Sequence, residues 1–228
     1  MKPLINRLLT PFYQSLSRFA AVAIACILPS MVFSQSTWAA QPSTLLVFGD
    51  SLSAAYGMKE SQGWVRLLET QINQSDLNFS VVNGSISGET STGGLARLPA
   101  MLENYSPDIV ILELGGNDGL RGLPLAALEK NMRTMVDLIS QSGAEILLTG
   151  IQIPPNYGPR YTEPFFDIYE KIAKSQDLSL VPFLIDGIPQ QPDLMQADGI
   201  HPKAEAQYLI LENVWPYLEE LLRQTSAK

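Results

Sequence analysis

Cysteine and histidine are almost missing from this 228-residue chain, which holds one of each, Cys26 and His201. A single cysteine forms no intramolecular disulfide and no multi-cysteine zinc or iron–sulfur site, and a single imidazole excludes any site built from several. Whatever chemistry uses histidine here uses His201. Basic residues are also few, 15 Lys+Arg against 23 Asp+Glu for a net charge of −8, the opposite of the surface that a phosphate backbone attracts. Nucleic acid is not an expected partner. There is no G-x-x-x-x-G-K-[ST] phosphate loop and no G-x-G-x-x-G fingerprint, and Ile86 stands where the nucleophile elbow of the α/β-hydrolases needs serine. No nucleotide cofactor is indicated. What remains, 46 % hydrophobic and 17 % charged residues, is the composition of a globular chain with enough length for one well-filled core.

The first 39 residues have the plan of a secretory signal peptide. Lys2, Arg7 and Arg18 precede an apolar run from Phe19 to Phe33, and Thr37-Trp38-Ala39 places small residues at the −3 and −1 positions for cleavage before Ala40. The run has 15 residues and contains Pro29, short of the roughly 20 that span a bilayer. The expected domain plan is therefore a signal peptide over 1–39 and a catalytic domain over 40–228, exported to a bacterial periplasm or secreted, with no stable membrane insertion after cleavage. The domain would keep 12 Lys+Arg against 23 Asp+Glu, a net charge of −11, and no cysteine. Stability then has to come from packing.

Short β-rich apolar runs recur at 45–48, 79–82, 109–112, 146–148 and 180–185, one every thirty-odd residues, separated by segments of helical period. Near-continuous apolar strands alternating with helices call for a parallel sheet covered on both faces. The spacing predicts a three-layer α/β/α sandwich of five strands. Pro182 inside the fifth run cannot donate to a ladder and puts that strand at an edge, as an order of 2-1-3-4-5 would. Pro216 should kink the final helix, expected over 203–223, or start a second one.

Four motifs fall at carboxyl ends of predicted strands, where open parallel sheets bind ligands: Gly49-Asp50-Ser51-Leu52-Ser53, Asn83 to Gly88, Gly115-Gly116-Asn117-Asp118, and Asp198-Gly199-Ile200-His201-Pro202. A serine hydroxyl attacks an acyl group only with an imidazole to take its proton and an acid to orient that imidazole. His201 is the available base, and Asp198, three residues earlier in a glycine turn, can hold its Nδ1 proton, with Pro202 opening the next helix. The oxyanion donors would be the Ser51 N–H at the start of a helix, the N–H of Gly88, where glycine permits close approach, and the Asn117 amide. Asp50 and Asp118 should fix turns. Leu120, Ile153, Tyr157 and Tyr161 are expected as walls of an acyl or aryl cleft. Activity should fall at acid pH, as His201 takes up a proton.

These four blocks resemble those of the GDSL, or SGNH, hydrolases, whose Ser, Gly, Asn and His match Ser51, Gly88, Asn117 and His201. The resemblance runs in order along residues 40–228 and is greatest to the bacterial periplasmic thioesterase/protease/lysophospholipase type and related arylesterases. It implies a flavodoxin-like fold, a triad of Ser51, His201 and Asp198, an oxyanion hole from Ser51, Gly88 and Asn117, no cofactor and no metal. The implied substrates are small acyl esters or thioesters. A carbohydrate O-acetylesterase, or a non-catalytic binding module of the same fold, are the alternatives. Oligomeric state is not legible.

Overall fold

The computed structural model describes residues 41–227, so the signal-peptide expectation and its cleavage site lie outside the described residues. Five parallel strands form one sheet in the order β2-β1-β3-β4-β5. They are β1 (Ser43–Gly49), β2 (Phe79–Asn83), β3 (Ile109–Glu113), β4 (Glu145–Thr149) and β5 (Ser179–Val181). The helices are α1 (Trp64–Asn73), α2 (Ser91–Tyr105), α3 (Gly116–Leu120), α4 (Leu125–Gln141), α5 (Pro159–Gln176) and α6 (Gln207–Ser226).

Strand side chains alternate between faces, and the two faces feed two separate apolar clusters. Leu45, Val47, Ile109, Ile111 and Leu147 pack with Trp64, Leu68 and Ile72 of α1 and with Val214 and Leu218 of α6. Leu46, Phe48, Val110, Leu112 and Leu148 pack with α2, α4 and α5, including Leu98, Met132 and Phe165. That is the three-layer, flavodoxin-like sandwich with strand order 2-1-3-4-5. Helix ends are tied individually. Thr90 accepts a hydrogen bond from the Gly93 N–H to cap α2, Pro159 occupies the first position of α5, and the buried Gln207 side chain accepts from the Trp64 N–H at the start of α1.

Two expectations change. The fifth strand stops at Val181, one residue before the proline, although it is at the edge as expected. With no N–H on Pro182 the ladder breaks, and only single bonds continue alongside, Gly150 N–H to Val181 O at 2.7 Å and Leu184 N–H to Gly150 O at 3.0 Å. The last helix is preceded by a 3-10 turn at Ala204–Ala206 and runs unbroken through Pro216. Pro216 and Glu212, whose carbonyl loses its partner, both face solvent, while Val214, Leu218 and Leu222 hold the helix to the sheet. No helix among the described residues is long and apolar enough to cross a membrane.

Candidate active site

All four sequence motifs lie at the carboxyl edge of the sheet or in the connection from β5 to α6. The chain leaving β1 does not enter a helix as expected. Residues 51–57 form consecutive turns, with Ala54 N–H bonded to Asp50 O at 3.0 Å and Tyr56 N–H to Ser51 O at 3.3 Å. Ala55 and Gly57 both adopt positive φ, which a right-handed helix does not accommodate. The result presents Ser51 outward while Ser53 points into the interior, 1 % exposed.

Ser51, His201 and Asp198 come together. Ser51 Oγ lies 2.8 Å from His201 Nε2, and His201 Nδ1 lies 2.7 Å from Asp198 Oδ2. In the neutral imidazole the Nδ1–H donates to Asp198 and Nε2 accepts the serine proton. The other Asp198 oxygen accepts from the backbone N–H groups of Ile200 and His201, at 2.9 and 3.0 Å. Partial burial pushes the Asp198 carboxyl up, but the hydrogen bonds from His201 and Ile200 outweigh it and bring it down to about 2. Asp198 therefore stays an acceptor throughout the neutral range. Pro202 does not open a helix. It forms an antiparallel bridge with Met195, and the Gln196 N–H donates to His201 O at 2.8 Å, so the loop carrying the imidazole is a small hairpin.

Gln196 was not visible as a functional residue in the sequence. Its side-chain amide donates to Tyr56 O at 2.9 Å and to Pro202 O at 3.1 Å, joining the serine loop to the histidine loop. The Tyr56 ring lies over His201 with centroids 4.4 Å apart. No local signal marks either contact, since 140 residues separate Gln196 from Tyr56.

Asn117 sits in α3, just after Gly115. Gly115 has φ +119°, and a Cβ there would collide with the buried Tyr169 hydroxyl, so glycine is what lets the chain turn from β3 into α3. Asn117 Nδ2 donates to Asp50 Oδ2 at 3.0 Å, which leaves its second amide hydrogen without a partner among the described residues. The N–H groups of Ser51 and Gly88 likewise donate to nothing among the described residues. Ser51 and Asn117 line one cavity, whereas Gly88 stands outside its lining. The loop bearing Gly88 is fixed from several sides. Ile86 N–H bonds Gly49 O at 3.0 Å, Arg121 donates to Gly88 O at 2.9 Å, and Arg97 joins Glu89 to the Gly84 carbonyl.

Asp50 and Asp118 are both buried and both reach beyond their own turns. Asp50 accepts from the Leu52 N–H within its turn and from Asn117 across the sheet, and burial raises its carboxyl to about 6. Asp118 accepts from the Ser91 N–H at 2.7 Å and the Ser91 hydroxyl at 2.6 Å, anchoring the first turn of α2.

The cavity beside Ser51 measures about 370 Å³ and is walled by Leu120, Ile151, Ile153, Phe183, Ile185 and Ile200. Leu120 and Ile153 are where the sequence placed them. Tyr157 and Tyr161 are not in the lining. Their hydroxyls donate to Leu120 O at 2.8 Å and Leu123 O at 3.0 Å, so they brace the wall from behind. The missing wall comes from the segment after β5, whose apolar run read as strand but turns over the cavity once Pro182 ends the ladder. Tyr161→Phe should lower stability by about 1 kcal/mol, the net worth of one hydrogen bond, measured by urea unfolding. An unchanged unfolding midpoint would show that the brace contributes nothing.

A parallel α/β/α sheet with a hydrogen-bonded Ser–His–Asp chain at its carboxyl edge, opening on an apolar cavity, is the architecture of a serine-type hydrolase. The chain belongs to the GDSL-like lipase/acylhydrolase family, whose sequence profile matches residues 47–209, and it is an ester hydrolase of that type. It is 52 % identical over 186 residues to esterase TesA of Pseudomonas aeruginosa, covering 82 % of this chain and 92 % of that one. It is 45 % identical over 188 residues to thioesterase 1/protease 1/lysophospholipase L1 of Escherichia coli K12, covering 82 % and 89 %. Among solved structures, the psychrotrophic esterase EstA from Pseudoalteromonas, inhibited by monoethylphosphonate, superposes with a TM-score of 0.75 at 42 % identity, over 79 % of this chain and 99 % of that one.

Proposed function

We propose that this chain cleaves carboxylic esters or thioesters of small acyl groups through an acyl-enzyme on Ser51. The observation that carries the reading is the unbroken chain from Ser51 Oγ to His201 Nε2 and from His201 Nδ1 to Asp198, set at the mouth of an apolar cavity. His201 takes the serine proton as Ser51 attacks the acyl carbonyl, and Asp198 steadies the imidazolium that forms. The Ser51 and Gly88 N–H groups and the free Asn117 amide hydrogen stabilise the tetrahedral oxyanion. His201 then protonates the leaving alcohol or thiol, and water, activated by the same imidazole, releases the acid. The names of the relatives, esterase and thioesterase, support the ester or thioester class.

A cavity of about 370 Å³ lies within the ~300–1,000 Å³ of small-molecule sites and is far larger than an acetyl group needs. That favours acyl chains longer than acetyl over a sugar deacetylase. Residues 40–228 should hydrolyse p-nitrophenyl esters with a maximum beyond acetate, and acid quenching during turnover should leave an acyl adduct on the peptide containing Ser51. A maximum at acetate, or an adduct elsewhere, would overturn the corresponding part of the reading. Filling the cavity with Leu120→Trp should shift the optimum toward shorter chains, lowering kcat/KM for the excluded esters by about tenfold or more per methylene displaced. An unchanged chain-length profile would place the acyl group elsewhere. Export through the leader at 1–39 belongs to the same proposal, and amino-terminal sequencing of periplasmic protein should read from Ala40.

A further inference from the structure

The end of β3 carries a carboxyl group that the reaction scheme leaves unused. Glu113 is fully buried at the last position of an otherwise apolar strand, directly beneath the serine loop. Its Oε2 accepts from the Asp50 N–H at 3.0 Å and from the Ser53 hydroxyl at 2.8 Å, while its Oε1 has no donor to accept from. The Asp50 carboxyl lies close enough for the two groups to act on each other directly. Two neighbouring carboxyl groups bond to each other only when one of them carries the proton.

The partners decide which one. Asp50 has what a carboxylate needs, the Leu52 N–H on Oδ1 and the Asn117 amide on Oδ2. Glu113 has donors on one oxygen only, and an ionised Glu113 would leave the other buried and bare. The Tyr169 hydroxyl of α5 is close by and uncharged, and the Arg97 guanidinium of α2, which reaches Gly49 O, is paired with Glu89 and the Gly84 carbonyl and makes no bond to Glu113.

We propose that Glu113 is a positioning residue of the active site that works as the neutral acid, its O–H turned to the Asp50 carboxylate and its Oε2 held by the Asp50 N–H and the Ser53 hydroxyl. The inference rests on the reading of Ser51 and Asn117 given above. One buried acid then sets both parts of the machinery. It pins the chain one residue before and two residues after Ser51, and it holds the Asp50 carboxylate that aims the Asn117 amide. Burial and the neighbouring Asp50 charge push Glu113 well above the usual carboxylate range, in the same direction. A folded-state acid raised in this way binds its proton where the unfolded chain has lost it, so the stability it gives is full below its unfolded value and is lost as pH rises.

The test compares the wild type with Glu113→Gln, which keeps a carbonyl and places an N–H where the O–H was, and with Glu113→Leu, which keeps neither. The infrared spectrum of the wild type at neutral pH should show the carbonyl stretch of a protonated carboxyl that E113Q lacks. E113Q should retain most of kcat on p-nitrophenyl butyrate, and E113L should lose about 10- to 100-fold in kcat with little change in KM, as misplaced reacting groups do. The melting temperature of E113Q relative to wild type should rise as pH climbs above the ordinary carboxylate range, where the unfolded chain has lost its proton and the folded Glu113 still holds it. Absence of the wild-type band, or E113L turning over like the wild type, would overturn the proposal. If E113L does not fold, the band and the E113Q pH profile still decide it. Activity surviving in Ser51→Ala would instead sink the site reading, whereas the infrared band reports on Glu113 independently.

Discussion

Ser51→Ala is expected to reduce kcat for ester hydrolysis by about a million-fold, the scale seen when the nucleophile of a triad is removed. The substitution deletes one atom whose hydrogen bond is to His201 Nε2, so the loss is chemical. The serine loop keeps its ties through Asp50 and Ser53 to Glu113, and the cavity keeps its walls, so the variant should unfold within a degree or two of the wild type and still bind substrate. The residual rate should come from the oxyanion donors and binding alone. Steady-state turnover together with calorimetry checks both halves. A folded variant as active as the wild type would mean that another group attacks, and Ser53 is a poor substitute because its hydroxyl is already committed to Glu113.

Asn117→Ala should cost about 3 kcal/mol of transition-state stabilisation, a fall in kcat of about 100- to 1000-fold. The Asn117 amide has two hydrogens, one spent on Asp50 and one left for charge that develops only as the carbonyl becomes tetrahedral. An interaction made only in the transition state lowers kcat and leaves KM nearly alone. The same substitution also removes a donor from the buried Asp50 carboxylate, which should stay closer to neutral. Turnover unchanged in the variant would remove Asn117 from the mechanism, and a rise in KM with kcat preserved would make it a binding residue instead.

The parts of this structure legible in the sequence are those written in short-range chemistry. Strand runs such as Ile109 to Leu112 alternate between two cores, and four turn motifs carry polar residues where the sheet ends, so the fold and the cluster of Ser51, Asp198, His201 and Asn117 follow from pattern. The errors fall where distant contact overrides local preference. Pro216 starts no second helix because buried neighbours hold both flanks of α6, Leu184 and Ile185 look like strand but form cavity wall or core, and Tyr157 and Tyr161 brace carbonyls instead of facing substrate. Gln196 gives no signal, since its amide meets backbone carbonyls and not other side chains. Glu113 offered one, a lone acid closing an apolar strand, because a buried charge at such a place needs a reason.

The Gln196 bridge has a consequence for the order in which the protein comes to life. The serine arrives with the first strand, which lies between β2 and β3, and Gly88 and Asn117 follow after the second and third strands, but the imidazole comes on the last connection, whose loop is fastened to the serine loop across 140 residues. Such long-range closure is slow relative to local structure. On the proposed mechanism the chain therefore holds an unarmed nucleophile until its last connection closes, and hydrolysis becomes a readout of completed folding.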